Sequence, residues 1–90
     1  MTYEFEYFHE PTDVNKPIKK LTVEVEFTVV DDEHPANRLI KTFELRIDAI
    51  KVFDKMGMDV TKTYAALLKT MEARFRRDHQ QDAIQRYLND

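Results

Sequence analysis

Three histidines stand out first, His9, His34 and His79, because each has an acidic neighbour in the chain. An imidazole beside a carboxylate can begin a metal site or a general-base pair, but both need further groups converging on it. These three lie in separate loops or polar segments, and a simple meander keeps the loops of His9 and His34 at opposite ends of a sheet. The run Asp31-Asp32-Glu33-His34 lacks the spaced oxygen ligands and the turn glycine of an EF-hand loop. Nucleophilic chemistry is short of residues: the chain has no serine and no cysteine, and its threonines fall on strand faces, helix starts or helix surfaces. A phosphate-cradling loop needs several glycines, and Gly57 is the only one. No catalytic residue, cofactor or metal ligand is nominated, and no enzymatic activity is expected.

What remains is surface chemistry, and the charge is unevenly spread. Residues 1–33 hold nine acids and three lysines, a balance of −6, and residues 34–90 hold eight acids and eleven bases, a balance of +3; together they give the chain's −3. In the acidic half, Glu4, Glu6, Glu24 and Glu26 share one parity, and Glu44 joins them from a later segment, with Lys20 and Arg46 as basic members. On a sheet they form one acidic face suited to a basic partner protein. In the basic half, Lys62, Lys69 and Arg76 recur at steps of seven and Arg77 follows. That spacing lines them along one side of a helix, where an anionic partner, including nucleic acid, would bind.

The elements that carry these residues can be read from periodicity. Residues 2–8 and 19–30 alternate apolar and polar, with Tyr3, Phe5 and Tyr7, then Leu21, Val23, Val25, Phe27 and Val29 on the apolar side. Period 2 is the signature of a half-buried strand, since a helix would scatter those residues around its surface. A third strand is expected over 38–47, with Leu39, Phe43, Leu45 and Ile47 inward and Lys41 at the rim. Loops of this length make consecutive strands antiparallel neighbours.

After Ile47 the spacing changes, and a short helix is expected over 48–56, capped by Asp48 and stopped by Gly57. A second helical stretch is expected over about 60–88, with Tyr64, Leu67, Leu68, Met71 and Phe75 as its apolar stripe. No apolar residue occurs from Arg76 to Asp82, and Ile84, Tyr87 and Leu88 follow at a different angle. Either the helix breaks near residues 78–81 or it runs on and offers a second apolar face to another chain.

Residues 42–77, from Thr-Phe-Glu-Leu-Arg-Ile through Met-Gly-Met-Asp to Thr-Lys-Thr-Tyr-Ala-Ala-Leu-Leu-Lys-Thr-Met, are similar in outline to ribbon-helix-helix antitoxin repressors. The likeness implies a dimer in which Thr42, Glu44 or Arg46 faces a DNA groove. This chain departs from that pattern in having a shorter first helix and two additional strands before the ribbon.

The reading is therefore a single α+β domain over residues 1–90. A three-stranded antiparallel meander is followed by a short helix and a long helix, either continuous or broken near 78–81, both packed on one sheet face. Its expected role is a small non-enzymatic interaction protein, an adaptor, inhibitor or assembly factor of bacterial or phage accessory type. It would act through Glu4, Glu6, Glu24, Glu26 and Glu44 or through the C-terminal helix at Ile84, Tyr87 and Leu88, the latter joining a homodimer. The alternative is a dimeric nucleic-acid-binding regulator using Lys62, Lys69, Arg76 and Arg77 or the third-strand face. No apolar run approaches the roughly 20 residues needed to span a bilayer, and no basic-then-apolar leader opens the chain; a cytoplasmic protein without membrane contact is expected.

Overall fold

The structure, a computed structural model, describes residues 1–11, 15–33 and 41–89. The turn carrying His34 and the expected strand start at Arg38 and Leu39 lie outside the described residues. Three strands, β1 (Thr2–His9), β2 (Lys19–Glu33) and β3 (Lys41–Phe53), form one antiparallel sheet in the order β1-β2-β3. A single 3₁₀ turn over Ala65–Leu67 leads into α1 (Leu68–Asp78), and α2 (Gln80–Asn89) follows. The fold class is thus α+β, with a three-stranded meander ahead of the helices.

Alternation decides the faces as expected. Tyr3, Phe5 and Tyr7 of β1 and Leu21, Val23, Val25 and Phe27 of β2 are buried. Met71 and Phe75 of α1 and Ala83 of α2 are buried with them in one core. Each fully buried Val, Leu, Phe or Met side chain among them contributes about 1.5–3 kcal/mol relative to exposure. The opposite face, with Glu4, Glu6, Glu26 and Glu44, is exposed, and Glu24 is half-buried. One greasy side is shielded and one side is wet, the usual arrangement for an antiparallel sheet.

The helix expected over 48–56 is not there; β3 continues to Phe53. The cause is a β-bulge. Phe27 pairs with Ile47 but the preceding Glu26 pairs with Ala49, leaving Asp48 as the extra residue on β3. A bulge shifts the inward parity by one. Leu45 and Ile47 face the core before it, and Ile50 and Val52, opposite Val25 and Val23, face the core after it. Inward residues at 45, 47, 50 and 52 imitate a change to helical spacing without one. The likeness to a ribbon-helix-helix chain is corrected at the same point, because its first helix is here part of a strand.

Gly57 does take a positive φ, +83°, but in a turn that follows a strand. The Gly57 N–H donates to the Asp54 carbonyl at 3.0 Å, and the Asp54 N–H donates to the Met58 carbonyl at 3.0 Å. The Asp54 carboxylate accepts the N–H groups of Met56 and Met58 at 2.9 and 3.0 Å. This is a tight hairpin with glycine in the left-handed position, and it brings Asp59 opposite Phe53.

Nor does a helix begin at residue 60. Val60 donates its N–H to the Val52 carbonyl at 2.8 Å, and the Val52 N–H donates to Thr61 Oγ1 at 2.9 Å. Asp59 in turn accepts from the Thr61 N–H and hydroxyl at 2.9 and 2.6 Å. Residues at the expected helix start instead strap the chain along the outer edge of β3, satisfying backbone groups that an edge would leave open.

The long helix breaks at His79, inside the expected window. Yet His79 donates its N–H to the Phe75 carbonyl at 2.8 Å and accepts from the Ala83 N–H at 2.9 Å, so the helical hydrogen bonds pass through the kink. His79, half-buried, lies on the same helical line as the buried stripe. It lies four residues after Phe75 and four before Ala83, and its ring stacks on Phe5 with centroids 4.7 Å apart.

β2 outruns β1. The β1–β2 pairing closes at Thr2 and Glu26, with Met1 joined to Phe27, while the β2–β3 pairing runs on to Glu33 and Lys41. The outer stretch is a two-stranded ribbon. Fifteen residues of strand reach roughly 50 Å at 3.3 Å each, in keeping with a body measuring 56 × 23 × 19 Å.

Candidate functional site

The open face of the sheet gathers the acidic residues in register. Glu4 stands directly opposite Glu24, with Lys51 of β3 on the far side of Glu24. Glu6 is opposite Thr22, and Glu26 is opposite Thr2. Directly opposed side chains have Cβ atoms about 4.5–5.5 Å apart, and like charges at that spacing repel. Asp48 adds to the same face, since the Thr28 hydroxyl, pointing outward, donates to its carboxylate at 2.7 Å. Lys20 is tied to Glu6 at 3.0 Å. Glu44 does not join the others: it is opposite Val30, out on the ribbon.

This face is not flat. The 54–57 hairpin turn rises at one end and walls a basin of about 450 Å³ lined by Glu4, Glu6, Lys20, Thr22, Glu24, Phe53, Asp54, Lys55 and Gly57. Phe53 is half-buried and provides an aromatic surface among carboxylates. An aromatic ring flanked by acids receives a cation better than either group alone, through charge attraction and the ring quadrupole. The presence of Lys51 and Phe53 on this face was not legible from the sequence, because the bulge at Asp48 sets their parity.

The C-terminal residues divide. Ile84 is half-buried against the chain's own core, whereas Tyr87 and Leu88 are exposed by 41% and 52%. The basic residues divide too. Lys69, Arg76 and Arg77 are on α1, but Lys62 precedes it. Arg76 faces Glu72 at 3.5 Å and donates to the Leu45 carbonyl at 3.4 Å. Arg77 donates to Asp78 at 2.9 Å, which holds the guanidinium proton more firmly than usual and pulls the Asp78 carboxyl below the ordinary carboxylate range.

A polar cluster at the helix kink was not foreseen. The Tyr3 hydroxyl donates to Asp82 at 2.7 Å and lies 3.3 Å from His79 Nδ1. With its proton directed at Asp82, the hydroxyl can only accept from His79. Burial, and then the bond and the charge of Asp82, push the Tyr3 phenol above its ordinary value, against the opposing pull of Arg86. Arg86 pairs with Asp82 at 3.3 Å and lies 4.9 Å above the Tyr3 ring. These contacts hold α2 on β1. His9 is elsewhere, edge-on to Tyr64 at 5.6 Å. Among the described residues no three His, Cys, Asp or Glu side chains are grouped as metal ligands, and no helix is long and apolar enough to cross a membrane.

Compared with protein-family models, curated proteins and solved structures, the chain matches none.

Proposed function

We propose that this chain is a small non-enzymatic interaction protein whose open sheet face docks a basic segment of a partner protein. The supporting observation is the Glu4–Glu24 pair, opposed across β1 and β2 beside the Phe53 basin. Like charges held face to face are unfavourable in the free protein. A lysine or arginine side chain lying between them relieves that repulsion, and Phe53 supplies a surface for its stem. Tyr87 and Leu88 support a second element of the reading, a two-fold dimer through the outer side of α2.

The test is NMR titration with two probes at low and high salt: an arginine- and lysine-rich dodecapeptide and a double-stranded oligonucleotide. The peptide is expected to shift amides around Glu4, Glu24 and Phe53. Its binding should weaken with salt and weaken further in Glu4→Gln/Glu24→Gln. Unchanged binding by that variant refutes the acidic-face reading. Oligonucleotide shifts at Lys69, Arg76 and Arg77 would put a nucleic-acid regulator in its place. For the dimer, Tyr87→Glu/Leu88→Glu should lower the mass measured by light scattering to that of one chain.

A further inference from the structure

On the other side of the 54–57 hairpin lies a second concavity, of about 580 Å³ and opposite in character. Buried Leu21 and half-buried Val60 and Tyr64 line it. Ile18 and Met56 stand on its walls, exposed by 58% and 78%. Apolar side chains exposed to that degree around a hollow mark a place where another molecule is expected to sit. The rim carries Lys19, Lys20 and Lys55 against one acid, Asp54. Lys20 is engaged by Glu6, and the Asp54 carboxylate is occupied by the N–H groups of Met56 and Met58. Neither Lys19 nor Lys55 has an ion-pair partner among the described residues.

We infer that this groove binds a short acidic peptide segment carrying one large apolar anchor. The anchor enters between Ile18 and Met56 onto Tyr64, and flanking carboxylates meet Lys19 and Lys55. The volume suits a side chain with part of its backbone. The concave form, with its floor at Leu21, favours insertion of a side chain over contact with a flat bilayer, although lysines beside exposed apolar tips would also suit an anionic membrane. The groove shares Lys20, Asp54 and Lys55 with the acidic basin but is otherwise lined by different residues, so two ligands of opposite charge would flank one hairpin.

The experiment uses the full chain, isotopically labelled. Three hexapeptide probes are added: acidic with one phenylalanine, acidic with alanine in its place, and lysine-rich with the phenylalanine retained. Vesicles of phosphatidylcholine with phosphatidylserine form a fourth arm. Only the acidic phenylalanine peptide is expected to shift the amides of Ile18, Met56 and Tyr64. Lys19→Glu/Lys55→Glu should weaken that binding roughly tenfold, two exposed pairs being converted to repulsions. Met56→Ser should weaken it while leaving the remaining spectrum in place, since Met56 is solvent-exposed and its removal opens no core. Equal shifts from the alanine or lysine-rich peptides, no shifts at millimolar acidic peptide, or binding to vesicles alone would each overturn the inference. Because a basic peptide on the Glu4–Glu24 face shifts different amides, failure here is distinguishable from failure there.

Discussion

Deleting Asp48 should be tolerated, because Asp48 is the surplus residue of the bulge. Without it, Ala49 follows Ile47 and the pairs Phe27–Ile47 and Glu26–Ala49 become consecutive. Ile47, Ile50 and Val52 keep their inward positions. The deletion removes the Thr28–Asp48 hydrogen bond, which is exposed and is worth about 0.5–1.5 kcal/mol. Allowing for the altered local twist, the total cost is about 1–2 kcal/mol, a fall in Tm of roughly 5–15 °C for a domain this small. Deleting Lys51 is the contrast. It turns Val52 to the open face, forfeiting about 1.5–3 kcal/mol of burial. It also breaks the two hydrogen bonds that tie Val52 to Val60 and Thr61. The sum, about 2.5–6 kcal/mol, is a large share of the roughly 5–13 kcal/mol expected for a chain of this length. Chemical denaturation followed by far-ultraviolet circular dichroism measures both. If the two deletions cost the same, or the Asp48 deletion unfolds the protein, the bulge does not set the faces of β3 and the reasoning fails.

Other outcomes follow from single side chains. Tyr3→Phe removes the donor to Asp82 and should lower stability by about 1 kcal/mol, read as a fall in Tm. Because the folded Tyr3 pKa is raised above 10.0, the stability this phenol contributes is complete below pH 10 and is lost as pH rises through the folded value; ultraviolet titration should show one late tyrosine, absent in Tyr3→Phe. Asp59 and Asp78 have folded pKa values held below 3.8, chiefly by the Thr61 and Arg77 hydrogen bonds respectively, so their contribution is present above the unfolded value and disappears as pH falls through the folded one. A Tm series from pH 5 down to pH 2.5 should decline, and less steeply in Asp78→Asn. Gly57→Ala meets no atom within 4 Å, so its cost is that of the left-handed backbone alone, about 1–2 kcal/mol, measurable by guanidinium denaturation.

The acidic face and the buried stripe were legible because β1 and β2 alternate without interruption, and uninterrupted period 2 has one structural meaning. β3 was legible only to Ile47. A bulge residue has no composition of its own, and Asp48 ahead of an apolar cluster reads equally well as a helix cap. Gly57 marked the correct backbone conformation but not the element it ends, since a helix stop and a hairpin turn both need a positive φ. The stripe beyond Phe75 failed in the sequence because His79 is polar by type; only its stacking on Phe5 brings it against the core. The groove could not have been read at all. Ile18, Met56 and Tyr64 come from three segments whose meeting depends on where the β3 hairpin turns.

The ribbon beyond β1 has a practical consequence for anyone weighing this molecule. A ninety-residue chain folded as a ball has a radius of gyration of roughly 12 Å, and this one has 15.9 Å. Its hydrodynamic drag is set by its long axis, so a lone copy passes through a sizing column ahead of spherical standards of equal mass. Early elution is therefore what a single 10.8 kDa chain should give, and stoichiometry has to be taken from scattered light or sedimentation equilibrium, where shape drops out.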